Sequence, residues 1–178
     1  MRSHLREVFE ILQVIVLAAV ISVLLNAFVI QVTEVLQISM QSTLHQGDRV
    51  LVSKLDYRFG RPSRCDIIVF HPPIEGVTIA YVKRVIAISG DRVELRDGGV
   101  YVNGAPSACT EGPHGTTLPE PGDIHFPLTV PEGAVFALGD NREESTDSRA
   151  FGHVTDDRII GKVILRFWPL TNARFFSW

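Results

Sequence analysis

Two serines lie in segment 37–44 (QISMQSTL), shortly after the only long apolar run in the chain. A serine hydroxyl becomes a useful nucleophile when a neighbouring group removes its proton and oriented donors bind the developing oxyanion. The chain has no Gly-x-Ser-x-Gly elbow and no Ser-x-x-Lys motif, which disfavours two common classes of hydrolase. The question is whether Ser39 or Ser42 is a nucleophile, and which group is its base.

Lysine is the alternative to histidine as the base, because burial disfavours the charged amine and lowers its pKa. The three lysines, Lys54, Lys83 and Lys162, lie in the apolar segments VLVSKLDY, YVKRVIA and IIGKVIL. A lysine in such a strand usually directs its ammonium group to solvent at an edge. The residues alone therefore leave three candidate bases.

Composition disfavours several other functions. The 17 basic and 20 acidic residues give a formal net charge of -3, and no basic run occurs, so nucleic acid is not expected as a partner. The six histidines are scattered without a His-Glu-x-x-His motif, and we expect neither metal nor cofactor. Cys65 and Cys109 form either a disulfide or two buried thiols, because no Cys-x-x-Cys spacing is present.

The apolar run at 11–30 (ILQVIVLAAVISVLLNAFVI) has roughly the 20 residues that a helix needs to cross a bilayer. It is longer than the apolar region of a cleaved secretory signal and lacks an Ala-x-Ala site at its end, which favours a retained anchor. Arg2 and Arg6 precede the run, and the next basic residue is Arg49. This asymmetry predicts that residues 1–10 are cytoplasmic and residues 31–178 extracytoplasmic.

The remainder of the chain has the pattern of a single all-β domain, with short apolar segments between Gly, Pro and Asp residues. The predicted strands are Val32–Ile38, Arg49–Leu55, Asp66–Phe70, Thr78–Ala87, Arg92–Leu95, Val100–Val102, Ala134–Leu138 and Ile159–Trp168. A tight hairpin turn is predicted at 97–99 (DGG), and an exposed loop insertion at 103–122. The aromatic tail 174–178 suits either a membrane interface or packing against the domain.

Several short motifs, taken in order, resemble those of the bacterial type I signal peptidases. They are SMQSTL, GDRVLVSKLDYRFG, CDIIVF, YVKRVIAISGDRVEL, VYVNG and GDNREESTDSRAFG, and they extend from the anchor to about residue 168. The resemblance implies that Ser39 attacks the peptide carbonyl and that Lys83 is the general base. It also implies that Ser145 hydrogen-bonds the lysine amine while Asp147 and Arg149 form a supporting ion pair.

The positions of the supporting residues alternate along the chain. In an extended backbone, residues 145, 147 and 149 project from one face and can act as a unit. Without the resemblance, a solvated charged turn is the alternative interpretation. The preceding Asp140 and Asn141 are expected to order the loop through side-chain to backbone bonds.

Two positions depart from the family pattern. Ser42 stands where proline is common, which suggests a less rigid nucleophile. Gln37 replaces the serine that helps bind the oxyanion in Gram-negative members. In the predicted strand, Gln37 and Ser39 face the same side. Either the glutamine amide donates instead of the serine, or the Ser39 backbone N-H acts without a side-chain partner.

The resemblance also implies shallow apolar subsites for small side chains at positions -3 and -1 of the substrate. The residues expected to line them are Val35, Met40, Leu44, Tyr81 and Val82, with a place in the core as the alternative for each. The substrate is expected to bind in an extended form beside the Ser39 and Lys83 strands.

The sequence therefore predicts a mainly β, membrane-anchored serine endopeptidase that removes signal peptides. Its expected partners are the signal peptides of exported preproteins, membrane lipid and the protein export machinery. One alternative is a catalytically impaired, membrane-tethered β-domain that binds partners. Another is a self-cleaving repressor with a Ser/Lys dyad, but those proteins are cytosolic and carry a DNA-binding segment where this chain has its apolar run.

Overall fold

The N-terminal helix α1 spans Arg2–Phe28 in the computed structural model, which describes residues 2–110 and 112–176. Its segment Phe9–Phe28 is long and apolar enough to cross a membrane, and none of it is buried against the rest of the molecule. The side chains of Arg2 and Arg6, on which the predicted orientation depends, lie outside the described residues.

The helix ends two residues before the end of the predicted span. Lys54 Nζ donates to the carbonyls of Asn26 and Ala27 at 3.0 and 3.3 Å, satisfying two acceptors that a helix C-terminus leaves without intrahelical partners. Ile30 already pairs with Ser53 as the first residue of a β-strand. Along the chain, Val29 is therefore the single residue between α1 and β1.

The described part of the chain forms twelve strands and two further short α-helices. The strands are β1 (Ile30–Glu34), β2 (Arg49–Ser53), β3 (Ile67–Phe70), β4 (Tyr81–Ile88), β5 (Arg92–Arg96), β6 (Gly99–Val102), β7 (Ala105–Pro106), β8 (Leu128–Thr129), β9 (Ala134–Leu138), β10 (Val154–Thr155), β11 (Ile159–Trp168) and β12 (Arg174–Phe175). The helices are α2 (Asp56–Phe59) and α3 (Ser148–Phe151), and 3-10 turns cover Arg142–Glu144, Asp156–Arg158 and Leu170–Asn172.

The strands form two antiparallel sheets, which confirms the predicted mainly β fold with one N-terminal apolar helix. The larger sheet has the order β1-β2-β11-β3-β4-β9-β10, and β12 pairs with β11. The smaller sheet has the order β7-β6-β5-β8. Its predicted hairpin turn is confirmed: Asp97 and Gly98 have φ of 52° and 73°, the backbone that a tight turn between β5 and β6 requires.

The predicted strand Val32–Ile38 is wrong in its second half, because β1 ends at Glu34. The Val35 N-H donates to the Asp48 carbonyl and the Gly47 N-H donates to the Val35 carbonyl, each at 2.8 Å, so the chain leaves the ladder here. Ser39 consequently lies in a turn. Gln37 and Ser39 do not share the face of a strand, contrary to the prediction.

The predicted loop insertion 103–122 is largely exposed, but several contacts hold it. Strand β7 pairs with β6, and a disulfide joins Cys109 to Cys65. Cys109 is buried in a core cluster with Val93, Phe136 and Leu138. Of the two possibilities that the sequence left open, a disulfide or two buried thiols, the structure has the disulfide.

A second apolar cluster lies beneath the turn that contains Ser39. Its members are Val35, Met40, Leu44, Val50, Val52, Ile67, Val69, Val82, Val163 and Phe176. Of the aromatic tail, Phe176 is buried here whereas Phe175 is exposed, and Ser177 and Trp178 lie outside the described residues. The turn that contains Ser39 therefore packs on this cluster through Met40 and Leu44.

Candidate active site

Ser39 lies in a compact turn, residues 38–44, which we call the Ser39 turn. The Gln41 N-H donates to the Ile38 carbonyl at 2.9 Å, and the Leu44 N-H donates to the Met40 carbonyl at 2.8 Å. Met40 and Leu44 are only 1% and 0% exposed, so their side chains anchor the turn in the core. Ser39 itself is buried, at 5% exposure.

The structure brings Lys83, and neither of the other two lysines, to Ser39. Lys83 on β4 is fully buried, and its Nζ lies 2.5 Å from Ser39 Oγ. Lys54 binds the end of α1, and Lys162 Nζ lies 2.7 Å from Asp66 Oδ1. The sequence alone left three lysines as candidate bases, and tertiary packing places only Lys83 of these three beside Ser39.

Burial lowers the pKa of Lys83 from 10.5 to about 8, because an apolar surrounding disfavours the ammonium form. The nearby carboxylates of Asp147 and Asp140 oppose this change, and the Arg149 guanidinium adds to it. At pH 7 roughly one amine in ten is then neutral, which is the form that can take a proton. The pair can thus transfer a proton from the serine hydroxyl to the lysine amine.

Asp147 and Arg149 form a buried ion pair with two hydrogen bonds. Arg149 Nε and Nη2 donate to the two Asp147 carboxylate oxygens at 2.8 and 2.9 Å. Asp147 also caps α3 by accepting from the Arg149 N-H, and it accepts from the Gly139 N-H at 3.0 Å. Because Arg149 is helical, residues 145, 147 and 149 do not project from one extended face as predicted.

Ser145 is close to the site but does not bond the lysine amine. Its Oγ is buried and has no hydrogen-bond partner among the described residues. It packs against Gly139, where an added Cβ would collide with Ser145 Oγ and come within 2.6 Å of the Ser39 carbonyl oxygen. Only glycine therefore allows the chain just after β9 to pass so close to both serines.

The Asp140 side chain binds residues that are distant in the sequence, and not the backbone of its own loop as predicted. Arg84 Nε and Nη2 donate to its two carboxylate oxygens at 2.8 Å, and the Thr43 hydroxyl donates to Oδ2 at 2.5 Å. Arg84, Asp140 and Thr43 are all buried. This cluster, which we call the Arg84 cluster, joins β4 to the Ser39 turn.

Two further contacts hold the backbone of the Ser39 turn. The Asn141 N-H donates to the Ser39 carbonyl at 3.0 Å. At the other end, Arg166 Nη1 donates to the Thr43 carbonyl and to Asp48 Oδ2, both at 3.0 Å. The Ser39 N-H forms no hydrogen bond with any described residue, so it is available to a ligand.

The comparisons with known proteins decide the family. The family described as "Signal peptidase, peptidase S26" matches residues 8–168. This chain belongs to the signal peptidase family. A protein named "Probable signal peptidase I-1" from Synechocystis sp. is 39% identical over 170 residues, covering 92% of this chain and 84% of that protein. The chain is thus a serine peptidase, a hydrolase.

Two further proteins, from Staphylococcus aureus and Enterococcus faecalis, are also similar to this chain. "Signal peptidase IB" of Staphylococcus aureus is 33% identical over 183 residues, covering 96% of this chain and 94% of that protein. A crystal structure of a signal peptidase I from Enterococcus faecalis is 35% identical, with a TM-score of 0.45, and covers 57% of this chain and 96% of that one.

Four of the five expected subsite residues lie in one cluster. Val35, Met40, Leu44 and Val82 all belong to the core beneath the Ser39 turn. Tyr81 packs elsewhere, edge-on against Phe70, and its ring centroid lies 5.1 Å from Lys83 Nζ. Their contact with substrate stays a prediction.

Sequence reasoning missed the Arg84 cluster and the contacts of Arg166. Arg84 is separated from Asp140 and Thr43 by 56 and 41 residues, so no local pattern joins them. One signal was available: Arg84 follows Lys83 in an apolar strand, and a charged residue in such a place requires a buried partner.

Proposed function

We propose that this chain is a membrane-anchored signal peptidase that cleaves signal peptides from exported preproteins with Ser39 as nucleophile and Lys83 as general base. The observation that carries the proposal is the 2.5 Å separation of Lys83 Nζ and Ser39 Oγ within the protein interior. The family to which the chain belongs supports the removal of signal peptides.

The proposed mechanism uses one amine twice. Neutral Lys83 takes the hydroxyl proton as Ser39 Oγ attacks the scissile carbonyl, and the ammonium then gives this proton to the leaving amine. The product is an ester between Ser39 and the signal peptide. Lys83 next takes a proton from water, whose oxygen attacks the ester, and returns it to Ser39 Oγ. In each half of the reaction, Lys83 is an ammonium ion after it takes the proton and before it gives the proton away. The carboxylates of Asp147 and Asp140 favour this ammonium form.

The Ser39 backbone N-H is the proposed oxyanion donor. It forms no hydrogen bond with the described residues, and it belongs to the attacking residue, so it lies close to the carbonyl oxygen of a bound peptide. Gln37 lies outside a strand, and strand geometry therefore does not direct its amide to the same place. We assign the oxyanion to the backbone and give Gln37 no required part.

The substrate is proposed to bind as an extended strand. Strand β1 pairs only with β2 among the described strands, and β9 pairs with β4 only from Arg84 onward, so β1 and Tyr81–Lys83 each have a free edge. Extended peptides bind such edges through main-chain hydrogen bonds. Because Met40 and Leu44 are already packed in the core, the adjoining subsites are shallow, which supports small side chains at positions -1 and -3.

The proposed location is the outer face of the cell membrane, with α1 as a single span. The cationic residues before the span support a cytoplasmic N-terminus, and the disulfide supports an oxidising compartment for the domain. The proposed partners are signal peptides, membrane lipid and the export machinery that delivers preproteins.

Cleavage of a preprotein with an Ala-x-Ala site, by the full chain in detergent, tests the proposal. We expect Ser39→Ala and Lys83→Met to abolish cleavage and Lys54→Met to retain it, because Lys54 binds only the end of α1. Substantial cleavage by either of the first two variants would exclude the dyad. A penem-type acylating inhibitor should label Ser39 in the wild type; a folded chain with neither label nor cleavage would indicate a partner-binding domain.

A further inference from the structure

A disulfide holds the middle of the long loop against the strands that carry the candidate site. We call the described residues 107–110 and 112–117 of this loop the tethered segment. Cys109 is bonded to Cys65, and the Cys65 carbonyl accepts from Arg84 Nη1 at 3.0 Å. The Cys65 N-H donates to the Val85 carbonyl at 2.7 Å. The disulfide therefore attaches the segment beside the Arg84 cluster.

The tethered segment contacts the Ser39 turn three residues after Cys109. Ser42 Oγ donates to the Gly112 carbonyl at 2.5 Å. Ser42 has φ of 82°, a left-handed conformation that residues with a Cβ rarely adopt. The hydrogen bond holds the turn in a backbone conformation that the serine does not favour by itself.

Gly112 also covers the Arg84 cluster from the outside. A Cβ at this position would collide with Thr43 Oγ1 and come within 2.7 Å of Asp140 Oδ2 and 2.9 Å of Arg84 Nη2. With φ of 95°, Gly112 has a backbone conformation that favours glycine, and this conformation brings the segment against the cluster.

The same segment supports the residue that binds the Ser39 carbonyl. The His114 N-H donates to the Asp140 carbonyl at 2.8 Å, and the His114 carbonyl accepts from the Arg142 N-H at 3.1 Å. Asn141 lies between these two contacts, and its own N-H donates to the Ser39 carbonyl. The segment therefore reaches Ser39 by two routes, one through Ser42 and one through Asn141.

We propose that the tethered segment is a positioning element for Ser39, which acts through the Gly112 carbonyl on Ser42 and is held in place by the Cys65–Cys109 disulfide. Ser42 and the two cysteines are positioning residues, because they touch the turn or its support and not the scissile bond. The inference rests on the proposed function, and it assigns a role in that reaction to residues outside the dyad.

The physical argument concerns the distance between the hydroxyl and the carbonyl that it attacks. A displacement of about 1 Å at a reacting atom can cost about a hundredfold in rate. When the Ser42 bond is lost, the turn is free to relax toward negative φ, which moves the backbone three residues from Ser39. Substrate contacts along β1 and β4 do not involve this bond, so kcat should fall while KM changes little.

The test compares kcat and KM for cleavage of an Ala-x-Ala peptide by six forms of the full chain in detergent. They are the wild type, Ser42→Ala, Cys109→Ala, Cys65→Gly, the double variant of both cysteines and Thr110→Ala. Glycine is chosen at position 65 because Cys65 has φ of 75°. Thr110 is exposed beside the disulfide, and its substitution is the matched control.

We expect Ser42→Ala to lower kcat about threefold to tenfold, the range for one lost hydrogen bond, with KM within about twofold of the wild type. Each cysteine variant should lower kcat at least as much, and the double cysteine variant no further than either single one, because all three lack the same bond. Thr110→Ala should match the wild type. A dithiol, which gives two electrons and two protons to the disulfide and becomes a disulfide itself, should reproduce the cysteine variants.

Hydrogen exchange at the Gln41 and Leu44 amides gives a second readout that does not depend on cleavage. Both amides donate within the Ser39 turn, so they should exchange faster in Ser42→Ala and in the cysteine variants than in Thr110→Ala. Unchanged kcat and unchanged exchange in Ser42→Ala and Cys109→Ala would overturn the inference. If the wild type does not cleave, or if Ser39→Ala does, the proposed function fails, and the exchange experiment still decides the role of the segment.

Discussion

In the proposed mechanism, the buried amine of Lys83 controls when Ser39 can be activated. Its pKa of about 8 lies below 10.5 because burial disfavours the ammonium ion. Below pH 8 most chains carry a charged lysine that cannot accept a proton, and above pH 8 most carry the neutral base. The amine nitrogen lies 2.5 Å from the Ser39 oxygen. A change in the protonation of Lys83 should therefore change the rate of catalysis directly.

The first prediction is that kcat/KM rises with pH up to about 8. It should increase about tenfold from pH 6 to 7 and about fivefold from pH 7 to 8, and then level off, because the rate follows the neutral fraction of one base. Peptide cleavage measured from pH 6 to 10 checks this. Lys54→Met should keep the same profile; a flat profile across pH 8 would show that another group takes the proton.

The second prediction concerns Gln37, which stands where the family resemblance implies an oxyanion-binding serine. Because Gln37 lies in an irregular segment and the Ser39 N-H forms no hydrogen bond with a described residue, we expect Gln37→Ala to keep kcat within about threefold of the wild type. Loss of a required oxyanion donor would lower kcat about a hundredfold to a thousandfold. Steady-state cleavage of one peptide by both forms separates these results, and a loss of the larger size would assign the donor to the glutamine.

The third prediction concerns the serine that stands where proline is common. Proline fixes φ near -65°, whereas Ser42 has φ of 82° and donates a hydrogen bond through its hydroxyl. Ser42→Pro should therefore displace the turn and lower kcat more than Ser42→Gly, because glycine allows the left-handed backbone conformation and removes only the CH2OH side chain. Cleavage rates of the two variants at equal folded concentration provide the measurement. Equal or higher activity with proline would mean that the turn does not need its left-handed residue.

At the scale of elements, the Arg84 cluster joins strand β4 to the Ser39 turn. Lys83 and Arg84 are adjacent on β4, and both are buried, so one strand supplies the amine for Ser39 and the guanidinium that binds the turn through Asp140. A buried ion pair adds little stability over an apolar replacement, but removal of one partner leaves an uncompensated charge. The role of the Arg84–Asp140 pair in this fold is to fix the position of the Ser39 turn relative to β4.

The fourth prediction is that the partners of this cluster are strongly coupled. Arg84→Met should lower the free energy of unfolding by about 3 to 5 kcal/mol, because Asp140 remains buried without its guanidinium. The double variant Arg84→Met with Asp140→Leu should cost less than the sum of the single variants. Denaturant unfolding of the full chain in detergent measures all four forms. Additive costs would show that the pair does not bind the turn to β4.

The sequence predicted the long strands and failed where local pattern and tertiary contact disagree. Strands such as Ala134–Leu138 and Ile159–Trp168 were predicted with the observed bounds, because their apolar runs are bounded by turn residues. The two-residue strands β7, β8, β10 and β12 were missed because they are too short to carry a period. The end of β1 at Glu34 depends on contacts of Val35 with residues 47 and 48, which the apolar pattern of 32–38 does not encode.

The candidate site was predicted only where a short motif carried it. Ser39, Lys83, Asp147 and Arg149 belong to motifs of the family, whereas physical reasoning from the residues alone left three lysines open. The helical place of Arg149 was available from the sequence, since Asp147 followed by Ser148 is an N-cap pattern. Asp140 is 56 residues from Arg84 in the sequence, and Gly112 is 70 residues from Ser42. Only tertiary packing brings the members of each pair together.

At the scale of the whole molecule, three tethers connect α1, the sheets and the loop. Lys54, just after β2, binds the end of α1; Lys162 joins β11 to Asp66 before β3; and the disulfide joins the loop to Cys65, also before β3. The disulfide is the one tether that depends on the compartment. It persists in an oxidising environment outside the cytoplasm and is rare in the reducing cytosol.

The fifth prediction uses the disulfide to report the orientation of the chain. The two cysteines are the only ones in the sequence, so any thiol found in the unreduced protein belongs to them. If α1 places the domain outside, cells treated with a thiol-alkylating reagent before lysis and denaturation should yield full-length chain with neither cysteine modified. A matched variant lacking residues 2–28 stays in the cytosol, and its cysteines should both be alkylated. Two free thiols in the full-length chain as well would place the domain in the cytoplasm and reverse the orientation inferred from Arg2 and Arg6.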